Sequence, residues 1–213
     1  MYTKIKKLII TNYIWIIFFI CLIIFLALAE DVFNRDIMNG DIIGYDFISH
    51  YLINDFTTPI MKAITWCGGA ICLVLLTIIL FICLKNKRDG ILIGINLVTI
   101  TILNQIFKFI LQRPRPEGYR IINETGYSFP SGHSMISMAF YGFLIYLIYQ
   151  NVVNKYIKWT LIIFLTFLII SIGISRVYLG VHYTSDVLAG FLVSISYLIL
   201  YIRIINVLLK KKA

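Results

Sequence analysis

Two histidines, three cations and one carboxylate stand in three short segments of an otherwise apolar chain, at Lys108 and Arg115, at His133, and at Arg176, His182 and Asp186. In "KFILQRPRP", Lys108 to Pro116, the lysine lies about one turn from the end of an apolar run. Charge at the centre of a span costs roughly 2.5–3.5 kcal/mol on insertion scales, so such a lysine needs a polar partner or a route to the interface, to which it could snorkel. The two prolines stop the helix and hold an extended exit, so Arg113 and Arg115 are fixed in place, whether as interfacial anchors or as ligands. In "SFPSGHSMIS", Ser128 to Ser137, Pro130 suits the first turn or immediate start of a helix, Ser131 can cap it, and Gly132 lets a ligand approach the backbone. The free N–H groups and dipole of such a terminus favour an anion, and His133 has no packing reason to stand there. In "SRVYLGVHYTSD", Ser175 to Asp186, His182 and Asp186 are four residues apart. If a helix starts near His182 they share a face, and the carboxylate fixes the imidazole tautomer while the other ring nitrogen stays free as base or nucleophile. The alternative, Asp186 bonding only nearby backbone, Thr184 or Ser185, is opposed by the cost of a carboxylate one turn inside an apolar run. The assembled set is suited to an oxyanion carrying two or more negative charges.

The elements that position these residues belong to a membrane protein. Of the 213 residues 60% are hydrophobic and 14% charged, and the mean hydropathy is +0.90, against about half apolar and a quarter charged in soluble domains. The expected fold is all-α, a bundle of six membrane-spanning helices forming one membrane-embedded domain over residues 1–213, with spans at about 8–28, 59–84, 90–111, 131–150, 159–175 and 184–207, the fifth being the shortest. The positive clusters are Lys4, Lys6 and Lys7; Lys85, Lys87 and Arg88; Lys155 and Lys158; and Lys210, Lys211 and Lys212. The positive-inside rule places these and both termini in the cytoplasm. The opposite side then receives the chemical segments and the loop from Glu30 to Thr58, which carries Glu30, Asp31, Asp36, Asp41, Asp46 and Asp55. Within that loop "DIIGYDFISHYLINDF" spaces its apolar residues as a surface-lying helix does, with His50 in solvent. Ala27-Leu28-Ala29 resembles a signal-peptidase site, but the preceding apolar run is longer than a signal core, so a retained anchor is expected.

The net charge of +9 is distributed as topology requires, which argues against nucleic acid as a partner. Cys21, Cys67, Cys72 and Cys83 sit in apolar stretches as small hydrophobes, and Gly90 with Gly94 offers a small-residue packing face. A transporter or channel would place polar residues at several depths and on both sides, whereas here they gather on one; the deeper Asn104 and Gln105 are expected to bond between helices.

The three segments together resemble the type-2 phosphatidic acid phosphatase superfamily, whose membrane members are lipid phosphate phosphatases and whose site is shared with vanadium-dependent haloperoxidases. Its motifs read here as Lys108 with Arg115-Pro116, Pro130-Ser131-Gly132-His133, and Ser175-Arg176 with His182 and Asp186, in the family's order and spacing. The register selects Arg115 over Arg113, which is left as an interfacial or headgroup contact. The resemblance implies that His182 attacks phosphorus and forms a phosphohistidine, that Asp186 orients its ring, and that His133 protonates the leaving oxygen and then activates water. Lys108, Arg115, Arg176, Ser131 and Gly132 would hold the phosphoryl oxygens, with no metal and no cofactor. The six-span composition disfavours the haloperoxidase branch. The implied partner is a membrane lipid phosphate at the outer face of a multi-pass protein in a cell membrane, and the Lys, Ile and Asn usage suggests a bacterial one. Undecaprenyl diphosphate leads the expected substrates, with phosphatidylglycerol phosphate and phosphatidic acid next.

Overall fold

A computed structural model describes residues 2–34, 38–117 and 120–210, with side chains between 12 and 208. Asp36, Lys211 and Lys212, and the side chains of Lys4, Lys6, Lys7 and Lys210, on which the charge reading partly rests, lie outside the described residues. The regular structure among the described residues is helical: α1 (Tyr2–Phe33), α2 (Asn39–Tyr51), α3 (Thr57–Trp66), α4 (Ala70–Cys83), α5 (Lys87–Leu111), α6 (Gly132–Asn151), α7 (Lys155–Tyr178) and α8 (Thr184–Lys210). Five of these contain an apolar stretch long enough to cross a membrane, from Asn12 in α1 and to Leu208 in α8, with α5, α6 and α7 between them. The second expected span, about 59–84, is made of two helices, α3 and α4, bent by 52° at the break between them; taken as one broken span the pair brings the number to six. The fifth is not the shortest, since α7 has 24 residues and α6 has 20.

Local chemistry explains where the helices start. Asn86 caps α5 by accepting from the Arg88 N–H, Asn154 caps α7 by accepting from Tyr156 and Ile157, and Ser131 caps α6. Helix α6 is the centre of the bundle and packs on α5, α7 and α8, while α1 lies on α8, α3 on α7 and α4 on α5. Its buried face carries Met135, Ala139, Phe140 and Phe143. The outward faces carry Phe164, Phe167, Ile163 and many other exposed apolar side chains, an arrangement natural in lipid and costly in water. Helix α2 corresponds to the expected surface helix: Ile42, Ile43, Phe47 and His50 are exposed, while Ile48 packs towards Tyr178, Leu179 and Val181.

On α5 the bundle-facing side runs Asn96, Ile100, Asn104, each buried and four residues from the last, so Lys108 continues the same face by the helical repeat. This face, and not hydropathy, turns Lys108 inward. Asn104 donates to the Pro130 carbonyl at 3.2 Å, as expected of it, whereas Gln105 is exposed on the other side of the helix.

The break between α3 and α4 falls at Cys67-Gly68-Gly69 and presses on α6 and α7. A β-carbon at Gly68 would stand 2.7 Å from Ile172 Cγ2, 2.8 Å from Ser137 Oγ and 3.4 Å from His133 Cδ2. Gly68→Ala is therefore expected to lower the thermal unfolding midpoint in detergent, at a cost of about 1–3 kcal/mol for overpacking. Gly40→Ala, whose β-carbon meets nothing within 4 Å, is the control that leaves the midpoint in place. Equal midpoints for the two variants would show that the junction relaxes freely.

Candidate active site

The three chemical segments meet at one end of the bundle, where α5 and α7 finish and α6 and α8 begin. Helix α5 stops at Leu111 because Gln112 adopts the left-handed conformation, φ 43°, and two prolines follow. The exit strand is tied down: Ser128 N–H donates to the Arg113 carbonyl at 2.9 Å and Ser128 Oγ donates to the Pro114 carbonyl at 2.9 Å. Arg115, 7% exposed, then anchors the loop ahead of α6 by donating to the carbonyls of Gly126 and Thr125, each at 3.0 Å, and reaches across to the Val181 carbonyl at 2.9 Å.

The start of α6 is held from both sides. Ser131 N–H donates to the Asp186 carbonyl at 3.0 Å, which joins the α6 terminus to the first turn of α8. Ser131 Oγ accepts from the Ser134 hydroxyl at 2.9 Å and the Ser134 N–H at 3.4 Å, so its own proton remains available to a ligand. A β-carbon at Gly132 would lie 3.1 Å from Asn104 Oδ1 and 4.0 Å from Lys108 Nζ, which places the lysine ammonium over the helix terminus. Among the described residues neither the Lys108 ammonium nor the His133 ring makes a hydrogen bond, and His133 faces the α3–α4 break with its Nε2 towards Gly69.

At the end of α7, Arg176 is 1% exposed. Its Nη1 donates to Thr65 Oγ1 at 2.7 Å and its Nη2 to Glu124 Oε1 at 2.6 Å, while among the described residues its buried Nε has no partner. A buried guanidinium N–H without an acceptor is costly, and a phosphoryl oxygen would satisfy it. Burial pushes the Glu124 carboxyl up, but the hydrogen bond and charge of Arg176 outweigh it and hold the group below its ordinary value.

His182, 2% exposed, precedes α8, and Asp186 is fully buried in that helix. His182 Nε2 lies 3.1 Å from Arg115 Nη1. Arginine only donates, so Nε2 must be the accepting nitrogen, and the ring proton is assigned to Nδ1, which donates to Asp186 Oδ2 at 3.3 Å. The same oxygen accepts from the Tyr183 N–H at 2.9 Å. Burial pushes the imidazole down to about 4 against the pull of Asp186, so the ring is neutral at physiological pH with its Nε2 lone pair directed into the cation cluster.

All eight expected site residues thus come to one end of the bundle, and His133 lies within electrostatic reach of Arg176, Glu124, His182 and Lys108. Three partners were not foreseen. Glu124 and Thr65 hold Arg176, and Asp41 accepts from Arg113 at 2.7 Å. Arg113, expected at the interface or on a headgroup, commits its guanidinium to Asp41 and Asp186. Beside the cluster lies a cavity of about 890 Å³ with apolar walls from Val32, Phe33, Met38, Ile42, Ile110 and Leu111. Of the eight site residues only His182 lies on its wall, so the cavity adjoins the cation cluster and does not enclose it.

A helical membrane bundle with a histidine–carboxylate pair facing three cations and a helix N-terminus defines a class of phosphoryl-binding membrane protein. The chain belongs to the PAP2 superfamily, whose pattern matches residues 89–210. It is similar to phosphatidylglycerophosphatase B of Bacillus subtilis (strain 168), 34% identical over 137 residues, covering 62% of this chain and 67% of that protein. It is also similar to an undecaprenyl-diphosphatase of Sulfolobus acidocaldarius, 30% identical over 124 residues, covering 54% of this chain and 55% of the relative. Among solved structures, the transmembrane PAP2-type phosphatidylglycerolphosphate phosphatase of Bacillus subtilis matches with a TM-score of 0.75 at 28% identity, over 87% of this chain and 94% of that one. Aquifex aeolicus LpxE shares the fold, with a TM-score of 0.61 at 21% identity, over 75% of this chain and 92% of that one.

Proposed function

We propose that this protein is a single-domain lipid phosphatase that removes the terminal phosphate of undecaprenyl diphosphate at the outer membrane face through a phosphohistidine on His182. The observation that carries this reading is the convergence of the His182 Nε2 lone pair with the cations Arg115, Arg176 and Lys108, one of which has a buried N–H awaiting an acceptor. Phosphoryl transfer needs mainly positioning and charge stabilisation, and this site offers both.

In the first step Nε2 attacks the terminal phosphorus, the bond from that phosphorus to the bridging oxygen of the diphosphate breaks, and His133 gives that oxygen a proton as the lipid monophosphate leaves. The Arg115 N–H now bonded to Nε2 is released by the attack and turns to a phosphoryl oxygen. Ser131 Oγ, the Gly132 N–H, Lys108 and Arg176 Nε supply the remaining donors. In the second step His133 takes a proton from water, the water oxygen bonds to phosphorus, the P–N bond breaks, and inorganic phosphate leaves. Throughout, Asp186 holds the Nδ1 proton and stabilises the charge on the ring. The side-chain cations take the role that a divalent metal plays in other phosphoryl-transfer sites, so no metal or cofactor is required.

The orientation reading is supported by the helix directions. Lys85, Lys87 and Arg88, and Lys155 and Lys158, lie at the starts of α5 and α7, the ends opposite the site, and α1 ends and α8 begins beside it. With those lysines cytoplasmic, the site faces out and both termini face in. The cavity next to His182, with apolar walls from α1, α2 and α5, suits a substrate that arrives from lipid head group first, and an outward site suits renewal of a polyprenyl carrier after polymer export. The relative of 34% identity named phosphatidylglycerophosphatase B favours phosphatidylglycerol phosphate as the second substrate, with phosphatidic acid after it.

The deciding experiment is phosphate release by the purified full chain in mixed micelles across these three lipids with EDTA present. Undecaprenyl diphosphate is expected to be hydrolysed fastest, at a rate EDTA does not alter. A faster rate on phosphatidylglycerol phosphate would transfer the assignment to that lipid, and activity lost in EDTA and restored by Mg²⁺ would overturn the metal-free mechanism.

A further inference from the structure

Arg113 and Asp41, which the reaction steps above do not use, form a buried run of charge with Asp186. Asp41 lies in the first turn of α2 and is 5% exposed. Its Oδ1 accepts from the Ser185 N–H at 2.7 Å, and its Oδ2 accepts from Ser185 Oγ at 2.8 Å and from Arg113 Nη2 at 2.7 Å. Asp41 therefore caps the first turn of α8 from another element. The other arm of the same guanidinium, Nη1, donates to Asp186 Oδ1 at 2.6 Å and to Ser185 Oγ at 2.7 Å. Arg113 also lies 4.1 Å from the centre of the Tyr183 ring, which fixes its plane.

The two oxygens of Asp186 consequently face different partners, Oδ1 towards Arg113 and Oδ2 towards His182 Nδ1 and the Tyr183 N–H. The carboxylate cannot turn about its bond without breaking contacts on both sides, so the ring it orients is held as well. A planar fork is what bridging two carboxylates demands, and a single ammonium nitrogen does not reproduce it. Three separate elements meet here: α2, the exit strand after α5, and the first turn of α8. Their close seating is visible at Gly44 of α2, where any side chain would collide with the Thr184 hydroxyl.

We propose that Arg113 and Asp41 are positioning residues that lock Asp186, and through it His182, in the attacking orientation, so that the seating of surface helix α2 on the start of α8 sets the geometry of the nucleophile. The proposal rests on His182 being the nucleophile of a phosphatase. It separates cleanly from a headgroup-binding role, because a headgroup contact acts mainly on KM and a lock acts on kcat. It also carries a pH signature. Without the Arg113 charge, Asp186 is left to stabilise protonated His182, and the acid limb of the kcat profile moves to higher pH. The other charged groups around the pair stay in place: Arg115 from the exit strand, Arg176 from α7 and His133 from α6 face His182, and Lys108 from α5 faces Asp186.

The test measures kcat, KM and the pH profile of full-length wild type, His182→Ala, Arg113→Met, Arg113→Lys and Asp41→Asn in mixed micelles, with undecaprenyl diphosphate and phosphatidylglycerol phosphate in parallel. Arg113→Met is expected to lose on the order of 10- to 100-fold in kcat with little change in KM, the scale at which a misplaced group slows an oriented reaction, and to show the shifted acid limb. Arg113→Lys should restore the limb and only part of the rate, and Asp41→Asn should lower kcat in the same direction by less. A raised KM with unchanged kcat in Arg113→Met would overturn the lock in favour of a headgroup contact. Should that variant not yield folded, monodisperse protein, Arg113→Lys and Asp41→Asn decide on the same criterion. An inactive wild type, or an active His182→Ala, would overturn the phosphatase or nucleophile reading itself and the lock with it.

Discussion

His182→Ala is expected to lower kcat for phosphate release by on the order of 10⁴-fold or more, as loss of a covalent nucleophile does in enzymes whose catalytic residues act as a unit. The expectation follows from a ring nitrogen that is both neutral and aimed into the cation cluster: Nε2 accepts from Arg115, and Nδ1 is occupied by Asp186. Burial holds the ring near a pKa of about 4. The sign follows directly. The attacking form is the unprotonated one, so its contribution to kcat/KM is complete well above that value and is lost as pH falls through it. The profile should keep its acid limb near pH 4 in wild type. A variant retaining wild-type turnover would remove His182 from the nucleophile's role, and steady-state phosphate release in detergent is sufficient to decide it.

His133→Asn is expected to slow turnover by about 10²- to 10⁴-fold, the range for loss of a general acid–base group, and to change what accumulates. The His133 ring makes no hydrogen bond among the described residues and sits against the glycine break, near Arg176 and His182. In the proposed reaction it serves the leaving oxygen first and water second. With an activated ester whose leaving group needs no proton, the first step should survive in the variant while the second stalls. Phosphorus should then remain on the protein in an acid-labile, alkali-stable form, as phosphohistidine is. Rapid-quench labelling that finds no such species, with full turnover, would assign the proton transfers elsewhere.

Legibility in the sequence differed residue by residue. Arg115 is selected over Arg113 only by the register of the family motif, whereas Lys108 and the pair His182–Asp186 stand out because charge in hydrocarbon is rare and costly. The Ser131 cap and the inward Asn104 were readable for the same reason: polar atoms in apolar runs must find partners. The bend within the second span is not legible because hydropathy does not register a break in a largely apolar run, and only packing against Ile172, Ser137 and His133 shows what Gly68 and Gly69 permit. Asp41 was invisible among the loop carboxylates, since nothing in its local sequence distinguishes it from Asp46 or Asp55. Glu124 was hidden likewise in a polar loop.

By itself the sequence determined the membrane class, the helical pattern, the family and the set of charged groups expected at the site, because hydrophobicity, capping and motif spacing are local properties of the chain. The tertiary structure alone decided which arginine meets which group. Arg115 and Arg113 are two residues apart on one extended strand, yet the first turns to His182 Nε2 and the second to Asp186 and Asp41. That division depends on where α2, α8 and the loops ahead of α6 and α8 bring their carboxylates and carbonyls, and buried charges are placed by partners distant in sequence, not by their neighbours along the chain.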